Sequence, residues 1–211
     1  MHDRTPPGQG TAQRGDHACL LYGPGRERLA VSARFIAQGL ASGERCLYVS
    51  ATRDMTGIVD ALDREGVDVA DRVAFGALRL ATAARSYLAG GVVSPDAMLS
   101  ALKTDVRDSR AAGYTGLRAT SEMGWAAGDS GASALLENYE RRLQRVFDGG
   151  GLTGLCQYDR DAFPHDLIER MRTIHPVLVD DRAALHAPAL HAAPAARAPR
   201  DDTGELAFGA D

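Results

Sequence analysis

The 211-residue sequence predicts an α/β domain: a mostly parallel, doubly wound sheet with helices on both faces. Two observations predict it. Short apolar runs of β type alternate with segments of helical period along the chain, and glycines punctuate most of the boundaries between them. Strand and helix in alternation imply right-handed crossovers, and hence parallel neighbours.

Ala18 to Tyr22 reads as a buried strand, and Glu27 to Leu40 as a helix with Leu29, Phe35, Ile36 and Leu40 at helical spacing. Gly39 and Gly43 loosen its end before Arg45 to Ser50, "RCLYVS", a second strand. Thr52 to Glu65 carries Met55, Ile58, Val59 and Leu62 on one face, and Gly66 stops it. Arg72 to Ala77 is a short β candidate, and Tyr87 to Gly91 a looser segment with paired glycines. Pro95 to Ala112 is a long amphipathic helix ended by Gly113, with Met98, Leu99, Leu102 and Val106 on its apolar face. Thr115 to Ala119 is the next strand, and Ser133 to Phe147 a helix stopped by three glycines. Leu152 to Tyr158, Phe163 to Ile174 and Pro176 to Val179 complete the series as strand, helix and short strand. The domain therefore spans residues 16–180, between a disordered arm over residues 1–15 and a flexible Ala/Pro-rich tail over 181–211.

Composition narrows the function classes. The chain is 45% hydrophobic and 25% charged, enough for a core, and its net charge of -4 gives no broad attraction to nucleic acid or an anionic membrane. No apolar stretch approaches the roughly 18 residues of a membrane span, and the polar N-terminus lacks a signal peptide's apolar region, so a cytoplasmic location is expected. The three cysteines, Cys19, Cys46 and Cys156, are widely spaced and suit reduced thiols better than a disulfide framework.

Between the first strand and the first helix lies "YGPGRER", Tyr22 to Arg28, a glycine turn at the sheet edge where α/β folds bind anions. A working phosphate loop has the form GxxxxGK[ST]. Counted from Gly23, Arg28 stands at the glycine position, Leu29 at the lysine position and Ala30 at the hydroxyl position. The single lysine of the chain, Lys103, belongs to a distant helix. Efficient nucleotide hydrolysis is not expected. Gly23, Gly25, the helix N-terminus and two fixed cations, Arg26 and Arg28, leave either anion binding without turnover or a plain strand-to-helix connection.

Other candidates fall at the same carboxyl edge. Tyr22, Ser50, Glu122 and Tyr158 end or follow strands, and Trp125 lies just beyond Glu122, where it serves a pocket mouth or caps the core. Tyr139 and Glu140, one residue apart on a helix, do not share a face. A buried Glu140 needs a cation, for which Arg118 is the candidate, while an exposed one pairs with Arg141 or Arg142. His17 and His175 precede strands and so meet at the amino edge, where Cys19 would make a third ligand for a metal or haem. Without CxxC or HxxxH spacing, the expectation is no metal and no cofactor.

The ordered series "HACLLYG" at His17, "GLASGERCLYVS" at Gly39, "SYLAGG" at Ser86, "GLRATSEMGWA" at Gly116, "LLENYERRL" at Leu135, "LCQYDRDAF" at Leu155 and "HP" at His175 resembles the MEDS family, the methanogen/methylotroph sensory domains. Its order and spacing carry the resemblance over residues 16–179. The resemblance implies a RecA/KaiC-like fold with a degenerate phosphate loop, and a non-enzymatic sensory role. It also implies output through a histidine kinase, an anti-sigma factor or a DNA-binding regulator. With no output domain after residue 180, the expectation is a small ligand or protein partner sensed here and a regulator contacted in trans. The ligand site expected is Tyr22, Gly23, Gly25, Arg26, Ser50, Arg118, Glu122, Trp125 and Tyr158. The alternative is a nucleotide or other anion held without efficient hydrolysis.

Overall fold

A computed structural model describes residues 8–9, 12–25, 27–86, 93–128 and 130–179. Among the described residues seven strands make one sheet: β1 (Gly8–Gln9), β2 (His17–Tyr22), β3 (Arg45–Ser50), β4 (Leu78–Thr82), β5 (Leu117–Glu122), β6 (Leu152–Asp159) and β7 (Val177–Val179). Their order is β1-β7-β2-β6-β5-β3-β4, and every pairing is parallel. The helices are α1 (Glu27–Ala41), α2 (Thr56–Arg64), α3 (Val69–Ala74), α4 (Pro95–Ala111), α5 (Ser130–Asp148) and α6 (His165–Ile174).

Strand parity divides the core in two, because successive side chains on a strand point to opposite faces. Cys19, Leu21, Leu47, Val49, Leu152, Cys156 and Tyr158 pack beneath α4, α5 and α6. Ala18, Leu20, Cys46, Tyr48, Leu78 and Leu155 pack beneath α1 and α2. The sheet is covered on both sides, the doubly wound arrangement that the strand–helix alternation predicts. It also explains why β6 is buried along residues 152–158: neither of its faces meets water.

The β candidate at Arg72 to Ala77 is a correction. Residues 69–74 form α3, and the strand follows it as β4. The Asp68 carboxylate accepts a hydrogen bond from the Asp71 N–H at 2.9 Å, a side-chain N-cap that starts the helix. None of the α3 side chains is buried, so the cap carries much of its local stability. We expect Asp68→Ala to cost about 1 kcal/mol, read from the midpoint of urea unfolding.

Within the segment read as an arm, Gly8–Gln9 pairs with Val177 and Leu178 of β7, and Ala12 is buried against the α1 side. The looser segment at Tyr87 to Gly91 and the tail at 181–211 lie outside the described residues. No helix among the described residues is long and apolar enough to cross a membrane.

Candidate functional site

At the carboxyl edge, the last residue of β5, Glu122, gathers groups from α1, β3 and the turn after β3. Its Oε1 accepts from Arg28 Nη1 of α1 at 2.5 Å and from the Tyr48 hydroxyl of β3 at 2.5 Å. Its Oε2 accepts from the Ala51 N–H at 3.1 Å and the Ser50 hydroxyl at 3.5 Å. The Arg28 guanidinium also lies 5.3 Å from the centroid of the Tyr22 ring. These residues share a face: Tyr22, Tyr48, Ser50 and Glu122 are the alternate positions that look toward α1.

Electrostatics follow from this packing. Burial, reinforced by the Glu122 charge, raises the Tyr48 hydroxyl well above its ordinary range. Burial raises Tyr22 to about 12, with Arg28 opposing the shift. Burial alone would lower Arg28, but the Glu122 charge holds it above its ordinary value. Both tyrosines are therefore neutral donors, and Arg28 is a fixed cation.

Of the predicted site, the structure brings together Tyr22, Ser50 and Glu122. Gly23 lies beside them with open space around it, and Gly25, at φ +153°, occupies a backbone region that favours glycine. Arg26 lies outside the described residues. Three residues go elsewhere. Arg118 is four positions earlier on β5, roughly 13 Å toward the amino edge, where it donates to Glu44 Oε2 at 2.6 Å. Tyr158 follows Gln157, the register partner of Glu122, so parity turns it to the opposite face. Trp125 packs half-buried against the α4–α6 core, and its buried Nε1 has no partner among the described residues. Tyr48 was missed. Arg28, a fixed cation at the glycine turn by the sequence reading, is the second residue of α1, and its partner at the strand ends is Glu122.

A second polar cluster is buried between the sheet and α5. His17 and His175 do meet, with ring centroids 4.2 Å apart. The third residue is Cys156, not Cys19: its Sγ is 3.7 Å from His17 Nε2 and 3.7 Å from Glu140 Oε2. Glu140 is fully buried, which rules out the exposed pairing with Arg141 or Arg142, and Arg118 is paired with Glu44 instead. Its Oε2 is 3.2 Å from His17 Nε2, and its Oε1 accepts from the Tyr158 hydroxyl at 2.5 Å. Arg118 cannot reach it from the other face of the sheet. Tyr139 is buried as well, so both neighbours pack, one against core and one within the cluster.

The ionisations in this cluster are ordered. Burial and the nearby His17 push the His175 imidazole down to about 4, leaving it neutral. Burial and the Glu140 charge raise the Cys156 thiol and the Tyr158 hydroxyl far above their ordinary ranges. Burial opposes ionisation of Glu140, yet the hydrogen bond of His17, the two imidazoles and the Tyr158 hydroxyl together hold it below its ordinary value. One donor atom from each of His17, Glu140, Cys156 and His175 lies within 4.8 Å of the other three. Beside Cys156, Tyr139, Leu143, Phe147 and Leu152 line an apolar cavity of about 50 Å³.

Comparison with curated proteins finds no significant sequence match. Residues 16–176 match the family described as the methanogen/methylotroph DcmR sensory domain, MEDS. That span begins one residue before β2 and takes in both clusters, so the chain belongs to the MEDS family and is a sensory-domain protein.

Proposed function

We propose that the chain is a non-enzymatic sensor that recognises a small anionic ligand at the Glu122 edge and passes the event to a regulatory protein in trans, such as a histidine kinase or an anti-sigma factor. One observation carries the ligand assignment: Arg28 and Glu122 neutralise each other at the strand ends. Hydrolysis of a nucleotide there would need a carboxylate free for magnesium or water and a cation free for the phosphates. Each is engaged by the other, and the Tyr48 hydroxyl and Ala51 N–H occupy the same carboxylate. An anion arriving at the N-terminus of α1 competes with Glu122 for Arg28. Exchange of that one ion pair converts ligand binding into a changed contact between α1 and β5, which is what a sensor requires.

Calorimetry with inorganic phosphate and with ATP and magnesium, alongside a phosphate-release assay, tests this proposal. The wild-type chain is expected to bind an anion without turnover, and Arg28→Ala to weaken binding about 10–100-fold, as loss of a charged hydrogen bond does. Binding of ATP but not phosphate selects the nucleotide-holding alternative. Phosphate release by the wild type that Arg28→Ala abolishes overturns the non-enzymatic assignment, and failure of every anion to bind removes the ligand assignment at this edge.

A further inference from the structure

The buried cluster on the α5 face is independent of the Glu122 edge. We propose that His17, Glu140, Cys156 and His175 together hold one divalent transition-metal ion of the zinc class.

The tautomers come first. His175 Nδ1 lies 2.8 Å from the Met171 carbonyl oxygen, which only accepts, so Nδ1 carries the hydrogen and Nε2 presents a lone pair. His17 Nδ1 lies 3.2 Å from Gln144 Oε1. The Gln144 amide is oriented by its own donation to Asp148 Oδ1 at 3.1 Å, so Nδ1 of His17 is also a donor. Both imidazoles thus turn Nε2 inward. His175 Nε2 has no hydrogen-bond partner among the described residues and faces Glu140 Oε2 at 3.6 Å, one lone pair toward another at a buried position. A proton on His17 Nε2 satisfies the 3.2 Å contact with Glu140 but does nothing for His175. A metal ion satisfies both.

Geometry agrees. A tetrahedral zinc with bonds of about 2.0–2.3 Å to nitrogen, oxygen and sulfur separates its donor atoms by about 3.3–3.6 Å. Of the six separations among the four donor atoms, four are 3.2, 3.6, 3.7 and 3.7 Å, and the other two lie within 4.8 Å, so closure on a metal draws His175 slightly toward His17 and Cys156. The outer partners are also those of a metal site: Gln144 and the Met171 carbonyl hold the imidazoles, and the Tyr158 hydroxyl holds the carboxylate. Two nitrogens, one thiolate and one carboxylate suit zinc or another ion of intermediate softness. Four protein ligands close the coordination, so the ion fastens β2, α5, β6 and the entry to β7 rather than reacting.

A dication held by the Glu140 carboxylate, the Cys156 thiolate and two neutral imidazoles leaves the buried site without net charge, the thiol proton passing to solvent.

The test uses the full chain. Elemental analysis after expression in zinc-supplemented medium is expected to give one metal per chain, and metal binding to the stripped protein to release at least the Cys156 thiol proton. Cobalt(II) loading is expected to give the visible bands of a tetrahedral ion and a thiolate-to-cobalt band in the near ultraviolet. Cys156→Ser removes the thiolate band and Cys19→Ser keeps it. Tyr158→Phe weakens affinity about 10–100-fold while keeping the band. If Cys156→Ser does not fold, X-ray absorption of the zinc-loaded wild type decides, with one sulfur among four light-atom neighbours expected. A wild type with no more metal than Cys156→Ser, a cobalt spectrum lacking the thiolate band, or an absorption spectrum lacking sulfur overturns the assignment and leaves a hydrogen-bonded ion pair only.

Discussion

Arg118→Ala is expected to destabilise the chain by about 3–5 kcal/mol, because it strands a carboxylate that the fold has taken out of water. Glu44 and Arg118 are 2% and 3% exposed. Their contact is 2.6 Å, the Thr153 hydroxyl donates to the other Glu44 oxygen at 2.9 Å, and the guanidinium lies 4.6 Å from the Phe35 ring centroid. This set ties β5, β6, α1 and the loop before β3 at the amino edge. Removing Arg118 leaves Glu44 with one hydroxyl and no cation. The double substitution Glu44→Met with Arg118→Met removes both charges at similar volume, and is expected to recover most of the loss. Urea unfolding of the two single variants and the double variant measures this. A double variant no more stable than Arg118→Ala would show that the charge pair is not the cause. Phosphate binding at the Glu122 edge is expected to be unchanged in a folded Arg118 variant, since that edge lies at the other end of β5.

The sheet and its helices were legible because burial on both faces writes continuous apolar runs into strands such as Leu152 to Tyr158, and amphipathic period into helices such as Pro95 to Ala112. α3 was not legible by that signal. It buries none of its side chains, and its one i,i+4 apolar pair, Val69 and Val73, spans a single turn, so only the Asp68 cap marks its start. At the site, position along a strand was readable and facing was not. Tyr22, Ser50 and Glu122 lie together at the carboxyl edge, whereas Tyr158, at the same end of its strand, looks to the other face. Its register against Glu122 is a tertiary fact, set by the pairing of β5 with β6. The second cluster was half visible. Two histidines before two strands meet in a parallel sheet, but the acid that joins them lies on a helix, and nothing local distinguishes Glu140 from Glu137, which pairs with Arg141 one turn on. One signal was available in the quoted "LCQYD": Cys156 and Tyr158 share a face, and that face is also the one on which His17 falls once β2 pairs with β6.

Phe147→Ala is expected to cost about 3–5 kcal/mol, and the reason is a glycine on the strand beneath it. The Phe147 ring is stacked on His17 at 4.3 Å and lies directly over Gly154, where an added Cβ would sit 2.4 Å from the ring's Cζ. Gly154 is thus a hole and Phe147 the knob that fills it. Gly154→Ala in the wild-type chain is expected to cost about 1–3 kcal/mol by overpacking, but to cost nothing beside Phe147→Ala, where the ring is gone. That non-additivity, read from four unfolding curves, separates a knob-and-hole pair from two independent core positions. Phe147→Leu completes the same cycle at smaller cost if the alanine variant is too unstable to measure. The ring also borders the apolar cavity of about 50 Å³, which is too small for benzene and grows when the ring is removed. Benzene is therefore expected to raise the unfolding midpoint of Phe147→Ala and leave the wild type unmoved. Equal cost of Gly154→Ala in both backgrounds would show that α5 is held over β6 by something other than this ring.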